Sequence, residues 1–259
     1  MLAAAANELA LERASVQARY VGKTVTVCVT SYDRFERLKQ TIDSFRALNA
    51  YPIERFVVIE DSAKPEMRKK IIEEYGASVD LIFNEKNLGQ PSSIDKAYRT
   101  IFTEYIFHTE DDYRYAGNPN FIGDSINILE ERRDVHQVWL RHEQDYLHSH
   151  GLDALYGPVG IRFFEEDVLL TSNGVPYRMV RFPNWGAWCG FSWNPGLRRT
   201  SDYRRLFPEG YAAHVPPGEI GFRAEFHCNV HAMRNGYRAA LLVNGACYNA
   251  GHDASTFRY

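Results

Sequence analysis

Residues 105–113 read Tyr-Ile-Phe-His-Thr-Glu-Asp-Asp-Tyr, an apolar run that breaks into three adjacent carboxylates, Glu110, Asp111 and Asp112. The apolar part, Tyr105 to His108, has the length and composition of a buried strand. Adjacent carboxylates repel one another unless a cation or hydrogen-bond donors compensate. Hard divalent ions take oxygen ligands, and Mg²⁺ is often held by one or two carboxylates plus substrate phosphates. A strand ending in this cluster suits a seat for a metal–diphosphate pair. A solvated acidic turn is the alternative, and the apolar strand in front of the cluster favours the former.

Upstream, strands and helices alternate. Thr24 to Thr30 (TVTVCVT) and Arg55 to Glu60 (RFVVIE) are β-branched runs, and Val79 to Phe83 is a third. Between them, Leu38, Ile42, Phe45 and Leu48 recur at helical spacing, and Pro65 to Tyr75 is a charged helix opened by Pro and stopped by Gly76. Ser92 to Thr103 is read as a third helix. This alternation predicts an α/β fold, a mixed and mostly parallel sheet flanked by helices. Ligands of such sheets bind outside the carboxyl ends of the strands. The polar residues Ser31 to Arg34, Asp61-Ser62 and Glu110 to Asp112 should therefore share one crevice.

Downstream, Asn118-Pro119 opens a helix running to about Arg132, and Val135 to Arg141 is a strand. Residues 142–158 read as loop. Arg162 to Arg181 reads as a hairpin around Ser172-Asn173-Gly174, for which Asn-Gly predicts a type I′ turn. Gly186 to Asn194 (GAWCGFSWN) is an aromatic strand, Phe222 to Asn235 a helix closed by Gly236, and Tyr237 to Tyr248 a last strand. Residues 1–22 have helical composition. Residues 23–259 form one domain, with a nucleotide half (23–117) and an acceptor half (118–259).

The composition narrows the function. Of 259 residues, 45% are hydrophobic and 24% charged, enough for a sizeable core. A net charge of −3 gives no nucleic-acid footprint. The four cysteines, Cys28, Cys189, Cys228 and Cys247, include no C-x-x-C pair, which excludes a zinc ribbon and points to a reducing, cytoplasmic setting. There is no apolar run of membrane-spanning length, and peripheral contact with a membrane stays open. No Gly-rich phosphate loop is present, which argues against kinases and dinucleotide enzymes.

The order of these motifs resembles GT-A-fold glycosyltransferases. Thr109-Glu110-Asp111-Asp112-Tyr113, followed by Asn118-Pro119-Asn120-Phe121 and a helix, is similar to their D-x-D region. Its Glu-Asp-Asp form looks like that of N-acetylglucosaminyltransferases. Asn87-Leu88-Gly89 and the ending Arg234-Asn235-Gly236-Tyr237 resemble glycosyltransferase family 2. The resemblance covers about residues 24–253. It implies a nucleotide-diphosphate sugar as donor, UDP favoured, Mn²⁺ or Mg²⁺ as cofactor, and a glycan or other hydroxyl-bearing acceptor. It also leaves room for the chain to be one module of a larger protein.

Carried over residue by residue, the resemblance makes Asp112 a metal ligand, joined by the late His252. It sets Glu110 and Asp111 against the ribose, diphosphate or donor sugar. Thr30, Tyr32 and Arg34 would lie near the base or phosphates, and Asp61 would accept the N3–H of uracil. Asp61 also reads as an N-cap of the following helix. Asn87 and Gly89 would form a turn closing on the nucleotide, and Trp188 would stack on a sugar. Glu225 stands where the family has its general base, with Glu for Asp, and implies inversion; Glu219 is the reserve. His227 and His231, four apart without an H-E-x-x-H pattern, read as structural or acceptor-facing. Three other readings remain open: a sugar-nucleotide nucleotidyltransferase, a glycoside hydrolase with Glu110 and Glu225 as its opposed carboxylates, and a non-catalytic carbohydrate-binding domain.

Overall fold

The structure is a computed structural model that describes residues 22–142, 145, 164–181 and 190–250. Residues 1–21, which carry the expected N-terminal helix, lie outside the described residues, as do Trp188 and His252.

Strands β1 (Val25–Ser31), β2 (Arg55–Glu60), β3 (Asp80–Phe83) and β4 (Tyr105–Glu110) alternate with helices α1 (Phe35–Leu48), α2 (Pro65–Tyr75) and α3 (Gln90–Tyr98). Beyond them come β5 (Tyr113–Tyr115), α4 (Phe121–Glu131), β6 (Val135–Trp139), β7 (Leu169–Leu170), β8 (Pro176–Met179), β9 (Gly196–Arg199) and α5 (Thr200–Leu206). A 3₁₀ turn (Ala212–His214), α6 (Gly221–Arg234), β10 (Arg238–Leu242) and β11 (Cys247–Asn249) complete the described elements.

The main sheet runs β3-β2-β1-β4-β9-β6-β10-β8-β7. The first four strands are parallel, and only β9 and β8 run against the others. β1 is buried on both faces, which is why its apolar run shows no alternation with polar residues. On one face, Val25, Val27 and Val29 pack with Leu38, Ile42 and Phe45 of α1 and Phe121, Ile122 and Leu129 of α4. On the other, Cys28, Val57 and Ile59 pack with Ile94 and Tyr98 of α3, Leu206 of α5 and Ala224 and Cys228 of α6. The expected mixed, mostly parallel sheet flanked by helices is what the chain forms.

Several boundaries differ from the sequence reading. α3 starts at Gln90 and ends at Tyr98, with Pro91 in its first turn. Gly190 to Asn194 form no strand; the strand β9 follows them, and neither it nor α5 was expected. β9 inserts between β4 and β6 because buried Arg199 ties it there, donating to the carbonyls of Val135 (2.9 Å) and Arg132 (3.0 Å) and pairing with Asp202. The expected last strand is two, β10 in the main sheet and β11 in a small antiparallel sheet with β5. The β7–β8 hairpin is present, but among its turn residues only Gly174 has positive φ (77°). A type I′ turn needs two such residues. The bonds from Gly174 N–H to the Thr171 carbonyl and from Thr171 N–H to that of Val175 fit a three-residue loop ending in a glycine bulge.

Candidate functional site

The carboxyl ends of β1, β2 and β4 open into one cavity of about 710 Å³, walled on the far side by the segment from Ala212 to Gly221. Thr30, Tyr32, Arg34, Asp61, Asn87, Gly89 and Glu110 all line it. These are seven of the expected donor-site residues, brought together from three strand ends and the loop before α3. Glu219 also lines the cavity.

Most strand-end carboxylates here are engaged with backbone. Glu60, only 2% exposed, uses Oε1 to accept the N–H groups of Asp33 (3.1 Å) and Ser62 (2.9 Å). Those two loops hold the described non-glycine residues with left-handed backbone, Asp33 (φ 58°) and Ala63 (φ 59°), a conformation that needs such outside support. A Lys64–Asp33 ion pair joins the same two loops.

Asp61 holds the third loop. Its Oδ1 accepts Asn84 Nδ2 (2.7 Å) and Leu88 N–H (2.8 Å), and its Oδ2 accepts Gly89 N–H (2.9 Å). It is not a helix cap, since the residue capping α2 is Lys64. Gly89, at φ 80°, leads directly into α3, and its N–H is shared with Asn87 Oδ1 at 2.8 Å.

The acidic triplet divides three ways. Asp111 is fully buried and, like Asp112, is not among the residues lining the cavity; it accepts Tyr32 N–H (3.2 Å) and Arg34 Nε (3.3 Å), with a second contact from Arg34 Nη2. The sequence reading had set it against the donor; its carboxylate instead supports the β1 loop. Burial outweighs the Arg34 charge and pushes its carboxyl up to about 7. Glu110 faces the cavity and takes Gln90 Nε2 at 2.6 Å. Burial, then the charges of Asp112, Glu225 and Asp111, hold its carboxyl well above the usual range. Asp112 accepts Arg34 Nη1 at 3.2 Å through Oδ2, while its Oδ1 is buried with no hydrogen-bond partner. Arg34, expected near the donor phosphates, thus lines the cavity while paired with both aspartates.

Across from this cluster, Glu225 lies in the second turn of α6. Its Oε1 accepts Trp193 N–H at 2.7 Å and Ser192 Oγ–H at 3.2 Å. Burial pushes its carboxyl up to about 7, against the opposing pull of those two donors and of Arg198. It stands near enough to Glu110 for their charges to interact.

His252 lies outside the described residues, but Ala250 N–H donates to the Asp112 carbonyl at 2.7 Å, and Arg37 binds the Ala250 carbonyl. His231 bonds the Leu206 carbonyl at 2.7 Å and packs on His214, a structural role. No group of three His, Cys, Asp or Glu residues shaped to hold a metal occurs among the described residues. No described helix is long and apolar enough to cross a membrane.

Sequence reasoning missed Asp95, 3% exposed on α3. It accepts Tyr203 Oη–H (2.8 Å) and the N–H groups of Tyr211 (2.8 Å) and Ala212 (2.9 Å), and so anchors the far wall. Its signal was a carboxylate flanked by Ile94, Ala97 and Tyr98 on the buried face of a helix.

No curated protein sequence matches the chain. Solved structures share its fold. S. aureus TarS (residues 1–349) superposes with a TM-score of 0.58 at 15% identity, over 88% of this chain and 60% of that one. The mannosyltransferase PcManGT from Pyrobaculum calidifontis, in complex with GDP-Man and Mn²⁺, gives 0.57 at 15% identity, over 96% of this chain and 66% of that one. Glucosyl-3-phosphoglycerate synthase from Mycobacterium tuberculosis, in complex with Mn²⁺, UDP and phosphoglyceric acid, gives 0.54 at 11% identity, over 92% and 74%. The chain therefore spans less than two thirds of the TarS and PcManGT chains. Their shared architecture is the GT-A fold expected from the motif order. The glycosyl transferase family 2 model matches residues 26–199, well over half of the chain, and the chain belongs to that family.

Proposed function

We propose that the chain is a metal-dependent glycosyltransferase that moves a sugar from a nucleotide-diphosphate donor, a UDP-sugar in the first instance, to a hydroxyl acceptor with inversion. The observation that carries this reading is the division of the strand-end carboxylates. Asp61 and Asp111 spend both oxygens on the loops and Glu60 spends one, its other being buried and unpartnered; Glu110 faces the cavity, and Asp112, two residues on, also keeps a buried oxygen without a donor. An orphaned carboxylate oxygen is costly to bury, and a hard divalent cation is its natural partner. Asp112 would hold Mn²⁺ or Mg²⁺ together with His252, and the donor diphosphate would complete the shell. One residue, Gly251, lies between Ala250, tethered to Asp112, and His252, and two steps of chain reach at most about 7 Å. The ion supplies Lewis-acid neutralisation of the departing diphosphate.

The protein's own groups do the rest. Arg34 orients the two aspartates, and Thr30, Tyr32, Asn87 and Gly89 shape the nucleotide end of the cavity. Asp61 Oδ2 carries one donor and retains capacity for the N3–H of uracil. Among the described residues the hydrogen bonds of Glu225 fall on Oε1, and Oε2 would take the acceptor hydroxyl proton. The hydroxyl oxygen then attacks the anomeric carbon opposite the diphosphate, whose C–O bond breaks. Trp188 is assigned a stacking contact with the sugar. A cytoplasmic location belongs to this reading, supported by three free, buried cysteines.

The test is donor hydrolysis across UDP-, GDP-, dTDP- and CMP-sugars with Mn²⁺, Mg²⁺ or EDTA, in wild type and Asp112→Ala. Release of one nucleotide, abolished by EDTA and lowered about a thousandfold or more by Asp112→Ala, is expected. Pyrophosphate-dependent formation of a nucleoside triphosphate would point to a nucleotidyltransferase instead. Glycan binding without nucleotide binding would point to a carbohydrate-binding domain.

A further inference from the structure

The stretch from Gly190 to Asn194 has no regular secondary structure, yet it is pinned residue by residue. Phe191 N–H donates to Asn229 Oδ1 (3.4 Å), and Ser192 N–H to Gln137 Oε1 (3.4 Å). Arg198 Nη2 donates to the Ser192 carbonyl at 3.2 Å, and its Nη1 to Tyr211 Oη at 3.1 Å. Asn194 donates twice to Ser192 Oγ, from N–H (3.0 Å) and Nδ2 (2.7 Å). Ser192, Trp193, Gln137 and Asn229 are all fully buried. With both acceptor positions of Ser192 Oγ filled by Asn194, its one proton is directed at Glu225 Oε1.

We propose that Ser192 is a positioning residue for Glu225: its hydroxyl and the Trp193 N–H grip Oε1, Arg198 braces the Ser192 carbonyl, and Oε2 is left as the proton-accepting atom. The inference rests on the reading of Glu225 as the base. It adds that the base's orientation and proton affinity are set by the segment before β9 rather than by α6 alone. Among the described residues, the charged and titratable groups bearing on Glu225 are Glu110 from β4, Arg198 from β9 and, one turn along its own helix, Cys228. Glu110 disfavours ionisation of Glu225, and Arg198 favours it. The Ser192 proton stabilises only the ionised form, so its removal must make Glu225 hold its proton more tightly.

The experiment is a ¹³C-carboxylate NMR titration of the metal-free protein, with the Glu225 signal assigned by its loss in Glu225→Gln. Wild-type Glu225 is expected to titrate near 7. Ser192→Ala should raise its proton affinity by about three- to tenfold, one pH unit being tenfold, and Ser192→Thr should restore it. Thermal melts establish that each variant is folded. An unchanged Glu225 titration in folded Ser192→Ala, or a raised one that Ser192→Thr leaves raised, overturns the proposal. Failure of the base reading is seen separately. If Glu225→Gln retains turnover of the donor found active in the nucleotide-sugar panel, Glu225 is not the base, whatever its titration shows.

Discussion

In the first half of the chain, the loops leaving β1, β2 and β3 are held by carboxylates from neighbouring strand ends, Glu60, Asp61 and Asp111. In the second half, arginines perform the comparable task from inside the sheet. Arg198 and Arg199 reach from β9 to carbonyls of the segment before it and of the α4–β6 connection. The difference follows from the backbone each half must satisfy. βα loops at strand carboxyl ends present N–H groups, which carboxylates accept. In the second half the carbonyls reached belong to the C-cap of α4 (Arg132), the first residue of β6 (Val135) and the irregular segment before β9 (Ser192), and guanidinium donors fill them. The comparison also isolates Glu225, a carboxylate of the second half gripped by an N–H and a hydroxyl as the carboxylates of the first half are.

Glu225→Gln is the largest perturbation this comparison offers. It should lower turnover by about a hundred- to ten-thousandfold, the range for a lost general base. Wild-type activity should fall as pH drops through about 7, where Glu225 takes up its proton, and the residual activity of the variant should lack that limb. Stability should move the other way. Because the folded carboxyl is raised above its unfolded value, the native state binds the proton more tightly, and stability declines as pH rises from about 4.5 to 7. Glu225→Gln should therefore melt higher than wild type at pH 8. An unchanged melting point there would show that the carboxylate is not strained by its burial.

Asp95→Ala and Asp61→Ala come next: the first removes the acceptor of three donors, whereas the second removes it outright only from Leu88 N–H, since Asn84 Nδ2 and Gly89 N–H keep Ser93 Oγ and Asn87 Oδ1. Asp95 is enclosed between α3 and the segment around Tyr211, so its loss should cost about 3–4 kcal/mol in chemical denaturation. Asp61 borders the open cavity, where water can replace it, and its loss should cost about 1–2 kcal/mol. Equal costs would remove the distinction between a dry clamp and a wet one. The remaining effects are backbone ones, and the smallest of all is among them. Gly210→Ala combines φ 96° with a Cβ only 2.4 Å from the Asp95 carboxylate, for about 2–4 kcal/mol. Gly174→Ala has φ 77° and open space, for about 1 kcal/mol. A Gly210→Ala cost no larger than that of Gly174→Ala would mean that Asp95 can yield.

The first half was legible because its signals are local. Each buried strand is one β-branched run, each helix carries its own periodicity and stop, and parallel βαβ order forces the strand ends together. That order alone gathered Thr30, Tyr32, Arg34, Asp61, Asn87, Gly89 and Glu110 around one cavity. What sequence could not convey was which carboxylates line the cavity and which hold the loops. Asp111 and Asp112 are neighbours in the turn between β4 and β5, yet one has both oxygens engaged and the other keeps a buried oxygen without a partner. The second half was less legible because its strands are too short to show a period, and β9 takes its place through the long-range contacts of Arg199. The described part of the expected aromatic strand, Gly190 to Asn194, departs from it for a related reason: it is ordered by side-chain bonds rather than by a ladder.

Glu60 has a practical consequence for redesign. Its single carboxylate oxygen holds the loop after β1 and the loop after β2 at once, and each loop carries a left-handed non-glycine residue. A loop grafted from a relative with different donor preference would arrive shaped for its own counterpart, not for this one. The two loops are therefore a single cassette: chimaeras that exchange both together with the residue at position 60 should fold, whereas one-loop chimaeras should lose the left-handed turn in the loop that was left behind.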